Sequence, residues 1–99
     1  MGRLEKTMIH PNSEGNPTSI RIDLEAGAGY IYYSNGEGRS ARTVDVWKDG
    51  QVAADYDESG KLVGIEVLGF DLETLSHARR FAREAGLSFP VHLEGVLPA

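Results

Sequence analysis

Apolar and polar residues alternate along the central part of the chain, from Thr18 to Leu68. A period of two is typical of β-strands that bury one face and leave the other in water. Turn-forming residues interrupt this alternation and predict five short strands. The strands are expected at residues 20–23, 29–33, 43–47, 51–56 and 62–68. Since tight turns join most of them, an antiparallel meander is the most economical topology.

A helix is predicted after the strands. Apolar residues recur there at helical spacing: Leu72, Leu75, Ala78, Ala82 and Ala85. Asp71 is suited to cap the N-terminus of this helix, and Gly86 is suited to end it. Residues 87–99 alternate weakly and are expected to form an edge strand or a docked tail. The pattern therefore predicts an α+β fold with one C-terminal helix packed on one face of the sheet.

The start of the chain differs from the rest in composition. Pro, Gly, Asn and Ser dominate residues 11–17, which cannot sustain a helix or a central strand. Residues 1–17 are therefore expected to be a flexible lead-in. Residues 18–99 are expected to form one small domain, because 99 residues leave room for no more.

Composition narrows the classes of function. Ten Lys and Arg against fifteen Asp and Glu give a net charge of −5, which makes nucleic-acid binding unfavourable. The chain has no cysteine, which excludes disulfides, thiol catalysis and cysteine-ligated zinc. No apolar run approaches the roughly 20 residues that a transmembrane helix needs. We therefore expect a soluble, cytoplasmic protein without a membrane partner.

The two faces of the predicted sheet carry different residues. The apolar set is expected to face the helix: Ile20, Ile22, Ile31, Tyr33, Val44, Val46, Val52, Ala54, Tyr56, Val63, Ile65 and Val67. The other face is expected to carry Tyr30, Tyr32 and Trp47, with Arg21 and four carboxylates. Aromatic residues on an otherwise polar face indicate that this face, including Tyr30, Tyr32, Trp47 and Arg21, is a contact surface covered by another molecule. A second copy is the expected cover, because twofold dimers are the commonest oligomers. A face left in water is the alternative.

Three carboxylates of that face, Asp45, Asp55 and Glu66, are weak candidates for a catalytic role. Neighbouring carboxylates in a partly dry cleft can separate their pKa values for acid–base chemistry, or can bind a hard cation. The alternative is that they only keep the face soluble. Glu66 lies between two apolar residues and is expected to form a structural salt bridge with Arg21 or Arg42.

No metal site and no cofactor are predicted. His10, His77 and His92 lie in different predicted elements and lack the spacing of metal ligands. Gly27 and Gly29 are not followed by the rest of a phosphate-binding glycine motif. A glycine inside a strand, such as Gly29, is expected to mark a bulge or a close approach to the backbone.

A distinctive motif closes the strand region. It is an aspartate-rich hairpin that runs into Gly-Ile-Glu: Asp55-Tyr56-Asp57-Glu58-Ser59-Gly60-Lys61-Leu62-Val63-Gly64-Ile65-Glu66. From roughly Ile20 to Leu68 the chain resembles the bacterial domain-of-unknown-function family 2283. That family usually has Asp where Gly27 stands and Leu where Gly29 stands. The resemblance implies a small β-rich domain without an established reaction. It also implies an antitoxin-like role, because some relatives lie beside toxin genes.

Two functions from different classes remain open. The first is a protein-interaction or regulatory module, a homodimer that binds a partner protein. The second is a small enzyme or small-molecule-binding protein with an aromatic and carboxylate-lined pocket on the same face. If this face is a dimer interface, Trp47→Ala is expected to weaken self-association. If Glu66 is paired internally, Glu66→Ala is expected to destabilise the domain, because it leaves a buried arginine unpaired.

Overall fold

The computed structural model of the protein describes residues 15–33 and 40–90. Within these ranges the chain forms five strands and one helix: β1 (Ser19–Asp23), β2 (Ala28–Tyr32), β3 (Arg42–Trp47), β4 (Val52–Tyr56), β5 (Leu62–Val67) and α1 (Leu72–Glu84). Each element lies where the sequence predicts it, so the α+β class is confirmed. No helix within these ranges is long and apolar enough to cross a membrane.

The strands form one antiparallel sheet in the order β1-β2-β5-β4-β3. The antiparallel pairing is as predicted, but the order departs from a simple meander because β5 lies beside β2 in the place of β3. β5 is strongly apolar, and its Val63, Ile65 and Val67 are all buried. A central position pairs both edges of this strand and covers its apolar face, which explains the order. β1 and β3 are left as the edge strands.

Asp57 organises the turn between β4 and β5. Its Oδ1 accepts hydrogen bonds from the backbone N of Ser59 (2.9 Å), the Oγ of Ser59 (2.8 Å) and the backbone N of Lys61 (2.9 Å). The Lys61 amide first, and then the Ser59 hydroxyl, lower the pKa of the Asp57 carboxyl by stabilising its charged form. Gly60 completes the turn with a φ of +87°, a conformation that favours glycine. The aspartate-rich hairpin of the sequence is thus a turn fixed by its own side chains.

Helix α1 has a defined beginning and end. The carboxylate of Asp71 accepts hydrogen bonds from the backbone N (3.1 Å) and the Oγ1 (2.8 Å) of Thr74, as expected for an N-cap. At the other end the backbone N of Leu87 donates to the carbonyl of Ala82 over 2.8 Å, and Gly86 takes a φ of +79°. This is a Schellman ending, and it confirms the predicted stop at Gly86.

The core lies between the sheet and α1. The helix packs on β3, β4 and β5 and buries Leu75, Ala78 and Ala82. Two alanines on this face allow the helix backbone to approach the strands closely. Phe70 packs on β2 at Gly29, where an added Cβ would lie only 3.0 Å from the ring. Gly29 therefore marks a close approach to the backbone, one of the two expectations for a glycine in a strand.

The chain after the helix docks on the same side of the sheet. Leu87 and Phe89 pack against the core. Tyr33 donates its hydroxyl to the carbonyl of Ser88 over 2.6 Å, and the backbone N of Ser88 donates to the carbonyl of Gly15 over 2.7 Å. Residues 87–90 thus form a docked tail. Residues 1–14 of the predicted lead-in and residues 91–99 lie outside the described ranges.

Several residues expected in the core are placed elsewhere. Val44 is 39% exposed because β3 is an edge strand, and Leu72 is 70% exposed in the first turn of α1. Ala85 is exposed just beyond the last turn of the helix. Tyr56 carries the guanidinium carbon of Arg42 5.0 Å from its ring centroid, and it lies beyond a register shift at the end of β4. The helical and strand periods placed Val44, Leu72 and Tyr56 in the correct elements and extended the helix one residue too far, to Ala85, but did not show where each element leaves the core.

Candidate functional site

The face of the sheet turned away from α1, here called the outer face, holds most of the predicted site residues. Strand pairing places one row of five residues across it: Arg21, Tyr30, Glu66, Ala53 and Asp45. The neighbouring row is Ser19, Tyr32, Gly64, Asp55 and Thr43. Among residues 15–33 and 40–90, no helix or strand packs on this face. The outer face is therefore the open surface of the described fold.

Tyr30 lies flat across the neighbouring strand. An added Cβ at Gly64 would come within 2.5 Å of the Tyr30 ring, so only glycine leaves room for the ring there. In this position the Tyr30 hydroxyl donates a 2.7 Å hydrogen bond to Oδ2 of Asp55. The hydroxyl of Thr43 donates to Oδ1 of the same carboxylate over 2.6 Å. One tyrosine thus joins β2, β5 and β4, and both oxygens of Asp55 accept hydroxyl groups.

These contacts keep the Tyr30 phenol protonated. Partial burial raises the pKa of Tyr30 far above its usual range, and the hydrogen bond to Asp55 and the negative charge of that carboxylate raise it further. Tyr30 therefore acts as a hydrogen-bond donor near neutral pH. Asp55, with both oxygens occupied, is poorly placed to accept a proton from a substrate.

Tyr32 forms the second half of an aromatic pair. Its ring lies 4.5 Å from that of Tyr30, with 69° between the ring planes, a T-shaped arrangement. Both rings are half-buried and both border an open groove of about 360 Å³. The groove is lined by Arg21, Asp23, Ala28, Gly29, Tyr30, Tyr32, Ser40, Val63 and Glu66. Aromatic, cationic and anionic groups therefore meet in one depression of the outer face.

The three candidate carboxylates share the outer face but do not form a cluster. Asp45 and Glu66 flank Ala53 on opposite sides, and Asp55 lies in the other row. Within the described residues no group of three or more His, Asp or Glu side chains is placed to hold a metal ion. Two strand spacings, about 10 Å, separate the backbones of Asp45 and Glu66. This spacing does not favour a shared cation.

The expected salt bridge of Glu66 is not formed within the described residues. Arg21 lies two strands away in the same row, with Tyr30 between them. Arg42 instead lies over the ring of Tyr56. Glu66 is half-buried beside the groove, so its carboxylate is available to a partner.

Trp47 is not on the outer face, which corrects the sequence prediction. The register of β3 shifts between Asp45 and Trp47, so that Trp47 pairs with Val52 and packs against the core. The extra residue of this bulge reverses the alternation, and Val46 and Trp47 both reach the core side. Trp47 also stacks on His77 of α1, with ring centroids 4.1 Å apart. Trp47 therefore fixes the helix to the edge of the sheet.

Two residues of the site were not singled out by the sequence. Thr43 is the first residue of the predicted third strand, but its hydrogen bond to Asp55 depends on the pairing of β3 with β4. Ser40 lies outside the predicted strands, and it lines the groove. No sequence signal identifies either contact, because both depend on strand order.

A single-layer sheet with one covered face and one aromatic, mainly acidic open face defines a small α+β domain built around a surface. The model of the family described as protein of unknown function (DUF2283) matches residues 19–70, which is more than half of the chain. The chain belongs to this family. No curated protein and no solved structure matches the chain.

Proposed function

We propose that this protein is a protein-interaction module and that the outer face is its contact surface. The observation that carries the proposal is the Tyr30–Tyr32 pair, half-buried beside an open groove on the face that the fold leaves uncovered. Tyrosine is enriched among the residues that dominate binding energy at protein interfaces. Glu66 and Arg21 supply charges at the border of the same groove. The proposal includes a homodimeric state and a location in the bacterial cytoplasm, in keeping with an acidic, cysteine-free chain.

The proposal is tested by affinity capture from a lysate of the cells that encode the protein. Tyr32→Ala removes one ring of the pair, and we expect it to reduce capture of the partner at least tenfold, the scale of an interface hot spot. Arg80→Ala, an exposed change on α1, is the matched control and is expected to leave capture unchanged. Equal capture by both variants would overturn the proposal. The identity of the captured protein tests the antitoxin-like role.

The groove favours a second candidate, a protein that binds a small molecule or acts on one. Its volume of about 360 Å³ falls within the range of small-molecule sites. However, both oxygens of Asp55 accept hydroxyl groups and the groove is open, so the site offers little of the enclosure that catalysis requires. A small molecule from a metabolite library that stabilises the wild type and not Tyr32→Ala would favour this second function.

A further inference from the structure

On the outer face, the row that contains Tyr30 has a positive charge on one side of this residue and a negative charge on the other. Arg21 and Glu66 lie one strand to either side of Tyr30, at the same height along the strands. Adjacent strands are about 4.8 Å apart, so the two charges are equally distant from β2. Arg21 and Glu66 lie two strand spacings apart, about 10 Å, and they form no ion pair with each other within the described chain. A twofold rotation about an axis along β2 exchanges the two positions.

We propose that the outer face packs on the outer face of a second copy, about a twofold axis that runs along β2. This inference rests on the proposed function, and it names a second copy of the chain as the molecule that binds the outer face. In this arrangement β1 of each copy lies over β5 of the other. Arg21 then meets Glu66 of the partner subunit, and symmetry forms the pair twice. The groove receives the arginine side chain beside two tyrosine rings, a setting in which a guanidinium also gains cation–π energy.

The charges of the outer face select this axis over the alternative along the central strand. A twofold axis along β5 would cover more of the sheet, but it places Glu66 opposite Glu66 of the partner subunit, and like charges directly opposite each other are destabilising. The axis along β2 avoids this contact. It also leaves β3 and β4 beyond the edge of the second copy, so that Asp45 and Asp55 lie outside the interface. Aligned packing of two sheets in this way is common.

The experiment is a charge exchange, measured as molar mass against concentration by light scattering and sedimentation. The wild type is expected to be a dimer. Arg21→Glu and Glu66→Arg are each expected to weaken dimerisation at least tenfold, because each places like charges in contact twice. Arg21→Glu combined with Glu66→Arg is expected to restore the dimer. Arg80→Glu on α1 changes the net charge by the same amount as Arg21→Glu and is expected to have no effect on the mass.

Several outcomes would overturn this interface. They are a monomeric wild type, single variants with unchanged mass, or a double exchange that does not restore the dimer. Restoration by Arg21→Glu combined with Asp45→Arg would indicate the axis along β5 instead. Circular dichroism checks that each variant is folded. If Glu66→Arg does not fold, Glu66→Gln replaces it as the single variant at this position. If the wild type is monomeric while Tyr32→Ala still abolishes capture of another protein, the dimer and the homodimeric part of the proposed function fail, and the outer face remains the contact surface for that other protein.

Discussion

Tyr30 is the residue that holds the outer face in shape, because its ring covers Gly64 and its hydroxyl binds Asp55. The sequence identified Tyr30 as a face residue from alternation alone. Its partner Asp55 could not be predicted, since that contact spans β2, β5 and β4 and depends on the strand order. The need for glycine at position 64 likewise could not be predicted from the sequence. The period-two position of Gly64 is evident in the sequence, but the ring that requires a glycine there comes from a residue 34 positions earlier.

At the residue scale, Tyr30→Phe is expected to lower the free energy of unfolding by about 1 kcal/mol at pH 7, because it removes one side-chain hydrogen bond. The pKa of Tyr30 is raised in the folded protein, so its contribution is present below the ordinary tyrosine pKa of about 10 and is lost as the pH rises above it. The difference between wild type and variant should therefore shrink between pH 8 and pH ~10.5 in urea unfolding.

Thr43→Val is the control for this experiment. It removes the other hydroxyl bound to Asp55 but no titrating phenol. The difference in the free energy of unfolding between the wild type and Thr43→Val should stay constant over the same pH interval. If the difference between the wild type and Tyr30→Phe also stays constant, the titration of the Tyr30 phenol does not control it.

At the scale of the element, the turns decide how much of the fold the sequence reveals. The Asp57 turn and the two ends of α1 carry their own signals, since a capping aspartate and a terminal glycine act locally. The bulge in β3 carries no such signal. Val46 and Trp47 are consecutive apolar residues before a turn in which Lys48 and Asp49 both take positive φ values, of 47° and 52°. A strict period of two cannot accommodate such a pair, and this explains the incorrect placement of Trp47.

Asp57→Ala is expected to lower the melting temperature at pH 7, because three hydrogen-bond donors in the β4–β5 turn lose their acceptor. The pKa of Asp57 is lowered in the folded protein, so this stabilisation is present above the ordinary aspartate pKa of about 4 and is lost as the pH falls through the folded value. The gap in melting temperature should therefore close in acid. Glu58→Ala, an exposed neighbour in the same turn, should change the melting temperature little at either pH. A gap that persists in strong acid would count against the hydrogen-bonded carboxylate as its source.

At the scale of the whole molecule, one sheet separates two kinds of surface. Its inner side is covered by α1, by Phe70 and by the docked tail, whereas no helix or strand among residues 15–33 and 40–90 packs on its outer side. The sequence predicted this division for the aliphatic residues, because alternation assigns them as a set. It does not identify a partner for the open side, because alternation shows only which side chains share a face.

Trp47 tests the division between the two surfaces. Because its ring packs on the core and stacks on His77, Trp47→Ala is expected to lower the free energy of unfolding by about 2–3 kcal/mol, a shift of about 10 °C or more for a chain of this size. The mass of the folded protein should not change. Tyr32→Ala should show the reverse, with a small change in melting temperature and a large change in binding, since its half-buried ring lies on the outer face and not in the core. If Trp47→Ala melted like the wild type but failed to associate, Trp47 would belong to the contact surface, and the assignment of the two faces would have to be exchanged at this edge of the sheet.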